Sequence, residues 1–217
     1  MALAGVLWDN DGVLVDTERL FYQANRELFL RLGVDLSERQ FFDWYLADNC
    51  GAWHVVTSLQ LTNQQIDALR GERNVRYAQL LAAADVRPVT GVAAVLADLA
   101  ARLPMGVVTS SNGDHFRQIH AASGLLQHFR FALTAEHYVN SKPSPEPYLL
   151  GLARLDVPAD RCVVVEDSPR GLQAALAAGL RCIVVRHPLT RHYGFPGAWK
   201  VVDHMGQLHE ELAALEH

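Results

Sequence analysis

The sequence has few cysteines and no long apolar run, and each shortage excludes a class of protein. The three cysteines, Cys50, Cys162 and Cys182, are too few and too far apart for a disulfide framework or a zinc site. No apolar stretch approaches the roughly 20 residues that a membrane-spanning helix requires. The first five residues also lack the basic and long apolar segments of a secretory signal. We therefore expect a cytoplasmic protein without a membrane partner.

Basic charge is scarce as well. The chain of 217 residues has 19 lysines and arginines against 24 acidic residues, which gives a net charge of −5. Nucleic acid binding requires a clustered basic face, and the sequence contains no basic run, so we do not expect a nucleic acid partner. The ten histidines never recur four residues apart, the spacing that places two metal ligands on one helix face. We interpret them as structural or solvated.

The apolar pattern changes along the chain, and the changes mark its organisation. Residues 17–87 have helical periodicity and no credible strand, and Ser37 to Gln40 and Thr62 to Gln65 match the capping box that begins a helix. From residue 88 onward apolar strands alternate with helices, which is typical of a parallel sheet covered on both faces. The predicted strands are residues 5–8, 105–109, 131–133, 162–166 and 182–185, and the predicted helices after residue 88 are 91–102, 114–122, 145–155 and 170–178.

This order predicts an α/β fold, in which a Rossmann-like, doubly wound parallel sheet core carries an inserted α-helical cap domain. We expect residues 1–16 and 88–214 to form the core, because one strand precedes the helical segment and the others follow it. We expect residues 17–87 to form the cap. Residues 215–217 resemble the start of an expression tag, and we do not assign them to either domain.

Polar residues follow three of the predicted strands at the point where each strand ends. In parallel α/β sheets ligands bind at this edge. Asp9 and Asp11 are two residues apart in an extended segment, so both carboxylates can point towards one ligand. The other polar groups follow later strands or lie between them: Thr109, Ser110 and Ser111, then Lys142, then Glu166 and Asp167.

These residue types fit a phosphate group and a hard cation. Mg²⁺ prefers oxygen ligands in a near-octahedral arrangement. A carboxylate nucleophile that approaches a phosphate dianion is repelled, and the cation together with Lys142 would offset that repulsion. Pro143 restricts Lys142 to extended backbone geometry, which helps to aim its side chain. The pattern indicates phosphoryl transfer with Mg²⁺ as cofactor and a small phosphorylated molecule as substrate.

Four segments of the chain, in order, resemble the motifs of the haloacid dehalogenase superfamily, particularly its members with a helical cap. Residues 9–17, which read DNDGVLVDT, match the first motif of that family, and the resemblance covers nearly the whole chain. Thr109 matches the second motif, Lys142 in Ser-Lys-Pro the third, and Glu166 with Asp167 the fourth.

The resemblance implies a role for each matching residue. Asp9 would be the nucleophile that becomes phosphorylated, and Asp11 would act first as general acid and then as general base. Thr109 and the backbone of Ser110 would hold the phosphoryl oxygens, and Lys142 would neutralise charge. The implied Mg²⁺ ligands are Asp9, the backbone carbonyl of Asp11, Glu166 and Asp167. The implied activity is that of a phosphatase acting on a sugar phosphate or a similar small phosphate monoester.

Departures from the family patterns separate the alternatives. Dehalogenases lack the second aspartate, which is present here as Asp11, and phosphonatases need a cap lysine, whereas the two lysines of this chain are Lys142 and Lys200. A β-phosphoglucomutase-like sugar phosphate mutase is the main alternative, although Phe21 stands where those enzymes usually carry a histidine. A catalytically silent binding protein would be expected to show a damaged motif, and none is damaged.

The cap determines the substrate in this family, and it carries one candidate anion-binding residue. Arg73 lies near the position of a cap lysine that the mutases use, so we predict that it binds substrate. The aromatic residues of the cap fit either a substrate pocket or packing between cap helices. The sequence predicts no particular oligomeric state.

Overall fold

A computed structural model describes residues 2–216, so His217 of the predicted tag lies outside the described residues. The chain forms two compact units, one made of the residues up to Asp16 together with those from Arg87 onward, and the other of Thr17–Val86. The strands are β1 (Gly5–Trp8), β2 (Met105–Val108), β3 (Phe131–Leu133), β4 (Cys162–Glu166), β5 (Arg181–Val185) and β6 (Lys200–Val202). The α-helices are α1 (Glu18–Arg31), α2 (Glu38–Phe41), α3 (Asn63–Ala83), α4 (Val92–Ala100), α5 (Gly113–His120), α6 (Glu146–Leu155), α7 (Pro169–Ala177) and α8 (Met205–Ala214).

The first unit is built on one six-stranded sheet, in which every pairing is parallel and the strand order is β3-β2-β1-β4-β5-β6. This is the doubly wound order of a Rossmann-like fold, with β1 at the centre between β2 and β4. Strands β1, β2 and β4 are buried along their whole length. Side chains that alternate along them therefore feed two apolar cores, one on each face of the sheet. One core includes α4 and α8, and the other includes α6 and α7.

The second unit is helical, and no strand occurs in Thr17–Val86, all of which the structure describes. Helices α2 and α3 begin with complete capping boxes, at Ser37 with Gln40 and at Thr62 with Gln65, as the sequence predicts. Helix α2 continues into a π-helical segment, Phe42–Ala47, and Trp53–Leu59 forms a 3₁₀ segment. The aromatic residues of this unit pack mainly against one another: the ring of Phe21 lies 5.3 to 6.2 Å from those of three other aromatic residues.

The predicted α/β fold is confirmed, and the predicted strands and helices lie within one or two residues of those in the structure. Strand β6 and helix α8, which follow the last predicted strand, were not predicted; β6 extends the sheet at one edge. Leu215 and Glu216, which we assigned to a tag, contact the core unit: Leu3 N donates to Leu215 O at 2.7 Å, and Glu216 pairs with Arg102. None of the helices formed by residues 2–216 is both long enough and apolar enough to cross a membrane.

Candidate active site

The register of the sheet brings three polar strand ends to the same level. Trp8 of β1 pairs with Val107 on one side and with Val165 on the other. Continued by one residue, this register sets Asp9 between Val108 and Glu166, and Asp9 N donates to Val165 O at 2.9 Å. The polar groups predicted from separate strands therefore meet at the carboxyl edge of the central three strands, where doubly wound folds bind ligands.

Lys142 is the centre of this cluster. Its side chain is 2 % exposed, and Nζ donates to Asp9 Oδ1 at 2.7 Å, to Glu166 Oε1 at 2.7 Å and to the backbone oxygen of Val108 at 2.9 Å. All three hydrogens of the ammonium group are thus directed to oxygen atoms. Burial lowers the pKa of Lys142, but the charges of Asp9 and Glu166 outweigh it and raise the pKa above its usual range. The lysine is a fixed cation beside the predicted nucleophile.

Glu166 is fully buried and accepts hydrogen bonds on both oxygens. Oε1 accepts from Lys142 Nζ and from the Tyr148 hydroxyl at 2.7 Å each. Oε2 accepts from Asp167 N at 3.0 Å, and from the amide and hydroxyl of Ser168 at 3.1 and 3.0 Å. Burial raises the pKa of Glu166, but Lys142 and these hydrogen bonds outweigh it and bring the pKa to about 2. Glu166 is therefore a charged anchor for Lys142 near neutral pH.

The pKa values of Asp9 and Asp167 shift in the opposite direction from that of Glu166. Burial raises the pKa of Asp9; Lys142 counteracts this, and the charges of Glu166 and Asp167 add to it. Burial also raises the pKa of Asp167, and Glu166 again contributes. His187 Nε2 lies 2.9 Å from Asp167 Oδ2. The surroundings of both aspartates thus disfavour their negative charge, whereas those of Glu166 favour it.

Two glycines leave room for the carboxylates. A Cβ atom at Gly12 would overlap the carboxylate of Asp167, and one at Gly171 would overlap the carboxylate of Glu166. Gly12 also has a φ of 77°, in the left-handed region that residues with a side chain rarely adopt. The turn after Asp11 thus depends on a glycine both for its backbone conformation and for its close approach to Asp167.

Asp11 faces a different set of donors from Asp9. Its Oδ2 atom accepts from the Ser111 hydroxyl at 2.6 Å, from Asn10 Nδ2 at 3.2 Å and from the Thr109 hydroxyl at 3.3 Å. Thr109 is 1 % exposed, and its hydroxyl also accepts from Ser111 N at 3.0 Å. The hydroxyl of Ser110 is buried beside it. The structure therefore places Thr109 and Ser111 next to Asp11, and Lys142 next to Asp9.

Arg73 belongs to the helical unit, on α3, apart in sequence from the strand-end cluster. Its guanidinium donates to the amide oxygens of Asn74 and Asn25, at 2.9 Å and 3.4 Å, and lies 5.0 Å from the centroid of the Phe21 ring. Burial lowers the pKa of Arg73. These partners of Arg73 are all neutral. Arg76, on the same helix, instead pairs with the carboxylate of Glu27 at 2.6 Å.

The donor set of the strand-end cluster fits a divalent cation. Among the described residues, one oxygen from each of Asp9, Glu166 and Asp167 lies within 4.8 Å of the other two. Three carboxylates beside one ammonium group leave an excess of negative charge at a buried position. Oxygen ligands with excess negative charge are what Mg²⁺ and similar hard cations prefer.

Several residues of this site were missed by the sequence analysis. Tyr148 and Ser168 bind Glu166, and His187 lies beside Asp167. Ser111 was predicted at this edge without a role, and its hydroxyl donates to Asp11 at 2.6 Å. Ser168 carried a readable signal, because a serine that follows a strand and precedes Pro169 is typical of a helix N-cap. His187 follows the carboxyl end of β5 by two residues, so its position at the ligand-binding edge was also available from the strand prediction.

The chain resembles known proteins over most of its length. Residues 6–185 match the family model of the haloacid dehalogenase-like hydrolases. The chain is 31% identical to protein CbbY of Cereibacter sphaeroides over 95% of this chain and 94% of that protein. It is 30% identical to fructose-1-phosphate phosphatase YqaB of Escherichia coli, over 84% of this chain and 96% of that protein.

Solved structures give the same picture. A CbbY variant from Rhodobacter sphaeroides in complex with xylulose-(1,5)bisphosphate matches with a TM-score of 0.79 at 29% identity, over 96% of both chains. The resemblance noted in the sequence therefore extends over the core and the helical segment alike.

Proposed function

The chain belongs to the haloacid dehalogenase-like hydrolases, and from that premise we propose that it is a phosphatase that removes the phosphoryl group from a small phosphate monoester, with Mg²⁺ as cofactor and Asp9 as nucleophile. Its relatives include a fructose-1-phosphate phosphatase, and a structural neighbour binds a sugar bisphosphate, which supports a sugar phosphate as the substrate class. The observation that carries the proposal is the buried Lys142 bridging Asp9 and Glu166 at the ligand-binding edge of the sheet.

Mg²⁺ would be held by the carboxylates of Asp9 and Asp167 and by the backbone carbonyl of Asp11. Glu166 stays a predicted ligand, but its oxygens already accept five hydrogen bonds. We therefore assign its main role to holding Lys142. The cation supplies electrostatic stabilisation of the negative charge that develops on the transferred phosphoryl group. His187 Nε2 lies 2.9 Å from Asp167 Oδ2 and would help to position that carboxylate from the side of β5.

The reaction would proceed in two steps. In the first, a carboxylate oxygen of Asp9 attacks the phosphorus, the bond to the ester oxygen breaks, and Asp11 gives its proton to the departing alkoxide. In the second, a water molecule attacks the phosphorus of the aspartyl-phosphate, Asp11 takes a proton from that water, and inorganic phosphate leaves while Asp9 is regenerated. Lys142 stabilises the charge on the phosphoryl oxygens in both steps.

The remaining predicted residues would bind the substrate. Thr109 and Ser110 lie directly after β2, where hydroxyl and amide groups can donate to phosphoryl oxygens. Arg73 would bind a second anionic or polar group of the substrate, because its guanidinium is partly buried and the contacts described above give it amide oxygens as partners.

A panel of phosphate monoesters, assayed for inorganic phosphate with and without a chelator, tests the proposal. We expect phosphate release from one or more sugar phosphates that requires Mg²⁺ and is absent in Asp9→Asn. Formation of an isomeric sugar phosphate without phosphate release would instead indicate the mutase alternative. Phosphate release that persists in the chelator or in Asp9→Asn would contradict the proposal.

A further inference from the structure

The residue between the two catalytic aspartates is a fully buried asparagine, and its side chain is hydrogen-bonded on both sides. Asn10 Oδ1 lies 2.7 Å from His120 Nε2, and Asn10 Nδ2 donates to Asp11 Oδ2 at 3.2 Å. His120 is the last residue of α5, is 6 % exposed and packs against Phe116 with the two rings tilted and 4.6 Å between their centroids. The amide of Asn10 therefore joins helix α5 to the carboxylate of Asp11.

The hydrogen bonds determine which nitrogen of His120 carries the proton. Because Asn10 Nδ2 faces a carboxylate, Asn10 Oδ1 faces His120, so His120 Nε2 must be the donor. His120 Nδ1 is then an acceptor, and it lies 2.8 Å from the hydroxyl of Ser123. The Ser123 oxygen accepts from Leu125 N at 3.2 Å, and of the two acceptors within reach of its hydroxyl, His120 Nδ1 at 2.8 Å is nearer than His120 O at 3.5 Å. Each group therefore donates to the next one in the series Ser123, His120, Asn10 and Asp11.

This chain of hydrogen bonds fixes the side-chain amide of Asn10 in one of its two possible orientations. Rotation of the Asn10 amide by half a turn would place its oxygen against Asp11 Oδ2, where two acceptors repel each other. It would also place its NH₂ group against the N–H of His120. Burial lowers the pKa of His120 to about 4, with a smaller opposing effect of Asp11, so the ring is neutral near pH 7. The ring is thus neutral, and its hydrogen bonds to Ser123 and Asn10 select the Nε2–H tautomer.

We propose that Asn10 and His120 are positioning residues, which hold the carboxylate of Asp11 in the geometry needed for proton transfer to the leaving group. This inference rests on the proposed function, in which Asp11 is the general acid. Asp11 Oδ2 is held by Ser111 and Thr109 from the side of β2, and Asn10 supplies a further donor from its own loop. Loss of that donor leaves the carboxylate with greater rotational freedom.

The leaving group of the substrate separates a positioning role from a structural one. A nitrophenolate leaves without protonation, whereas an alkoxide needs the proton of Asp11. We expect Asn10→Leu and His120→Leu to lower kcat/KM by about 100-fold for an alkyl phosphate, the scale reported for small misplacements in active sites. We expect a several-fold smaller loss for 4-nitrophenyl phosphate. Equal losses for both substrates, or none, would overturn the proposal.

A conservative variant and a double variant sharpen the test. Glutamine at position 120 carries an amide N–H that can reach Asn10 Oδ1, so His120→Gln should recover most of the alkyl phosphate activity that His120→Leu loses. The double variant Asn10→Leu with His120→Leu should lose no more than either single variant, since both act through one chain of hydrogen bonds. Absence of recovery in His120→Gln, or additive losses in the double variant, would contradict the proposal.

The wild-type protein gives a readout that does not depend on any variant folding. Long-range proton–nitrogen correlation spectra should show His120 as the neutral Nε2–H tautomer at pH 7. The Nδ1–H tautomer would overturn the proposal. Failure of the proposed function is distinguishable, because it would appear as wild-type turnover that does not depend on Asp9, whatever the effect of the variants at positions 10 and 120.

Discussion

The two units of the chain use charged residues in opposite ways. In the sheet unit, Lys142, Glu166 and Asp167 are 2 % exposed or less, and they contact one another or Asp9. In the helical unit, charged side chains form ion pairs at the surface, such as Arg26 with Asp35, whose side chains are 49 and 61 % exposed. Arg31 with Glu72 and Arg76 with Glu27 are similar pairs, exposed on both sides.

The difference shows where charge serves function. Burying ionised groups costs several kcal/mol each, and hydrophobic residues of similar size would often be as stable. A cluster of four buried charges at a strand edge is therefore best explained by chemistry that needs them. Exposed ion pairs contribute about 0–1 kcal/mol each and need no such explanation. In the helical unit, two charged residues differ from these pairs: Glu18 is 7 % exposed, and the guanidinium of Arg73 is partly buried with amide oxygens as its described partners.

The largest effect that we predict comes from the sheet unit. Asp9→Asn should lower phosphate release by about 10⁵-fold or more, on the scale measured for removal of other enzymatic nucleophiles, because the amide is a poor nucleophile of almost the same shape. Steady-state assays with circular dichroism as a check of folding measure this. Near wild-type turnover by the folded variant would remove Asp9 from the mechanism.

The two lysines of the chain provide a matched test of buried against exposed charge. Lys142→Met should lower the free energy of unfolding by about 3–5 kcal/mol at pH 7, because it leaves Asp9 and Glu166 without their cation in a buried site. Lys200→Met should change it by about 1 kcal/mol or less, because Lys200 and its partner Glu211 are 48 and 31 % exposed. Urea titrations of both variants give the comparison. Equal losses of stability would contradict the contrast between the two kinds of charge.

An acidic residue of the cluster and an acidic residue at the surface should differ in their effect on the Mg²⁺ requirement. Asp167→Asn removes one negative oxygen ligand from a hard-cation site, so we expect the half-saturating Mg²⁺ concentration to rise by roughly tenfold or more. Glu210→Gln makes the same change of net charge at an exposed position of α8 and is the control. The measurement is phosphate release as a function of Mg²⁺ concentration. If both variants shifted equally, the effect would be one of net charge rather than of ligation.

The smallest predicted effect lies in the helical unit. Arg73→Gln should raise KM for the preferred substrate by roughly tenfold, which corresponds to the loss of one charge-assisted hydrogen bond, with a smaller change in kcat. Arg76→Gln is the matched control three residues further along α3, and it should leave KM unchanged because that guanidinium pairs with Glu27. Initial rates over a range of substrate concentrations give the KM and kcat of both variants. An unchanged KM in Arg73→Gln would make Arg73 a packing residue beside Phe21.

The contrast between the units also explains what could be predicted from the sequence. The strands and the capping boxes follow from local patterns, so β1 and β4 and the starts of α2 and α3 were predicted correctly. Strand β6 has three residues, two of them exposed, and lacks the buried apolar run on which the other predictions relied. Local patterns are weakest where an element is short and lies at a sheet edge.

Contacts between residues that are far apart in the sequence also could not be predicted from local patterns. The bond between His120 and Asn10 joins positions 110 residues apart, and no spacing along the chain indicates it. By contrast, the carboxyl ends of parallel strands meet at one edge by topology, so Asp9, Thr109 and Glu166 could be predicted as neighbours. Fold topology predicts which strand ends meet, and only the packed structure gives the partners that helices contribute.

Detection of the phosphoryl group on Asp9 tests the account most directly. Asp11→Asn should still accept a phosphoryl group from 4-nitrophenyl phosphate, because that leaving group needs no proton, but it should hydrolyse the aspartyl-phosphate slowly. Acid quenching during turnover with Mg²⁺, followed by peptide mass spectrometry, should find one phosphoryl group on the peptide that contains Asp9. Asp9→Asn should show none. A phosphoryl group on another residue, or turnover by Asp11→Asn with no adduct on Asp9, would contradict the account.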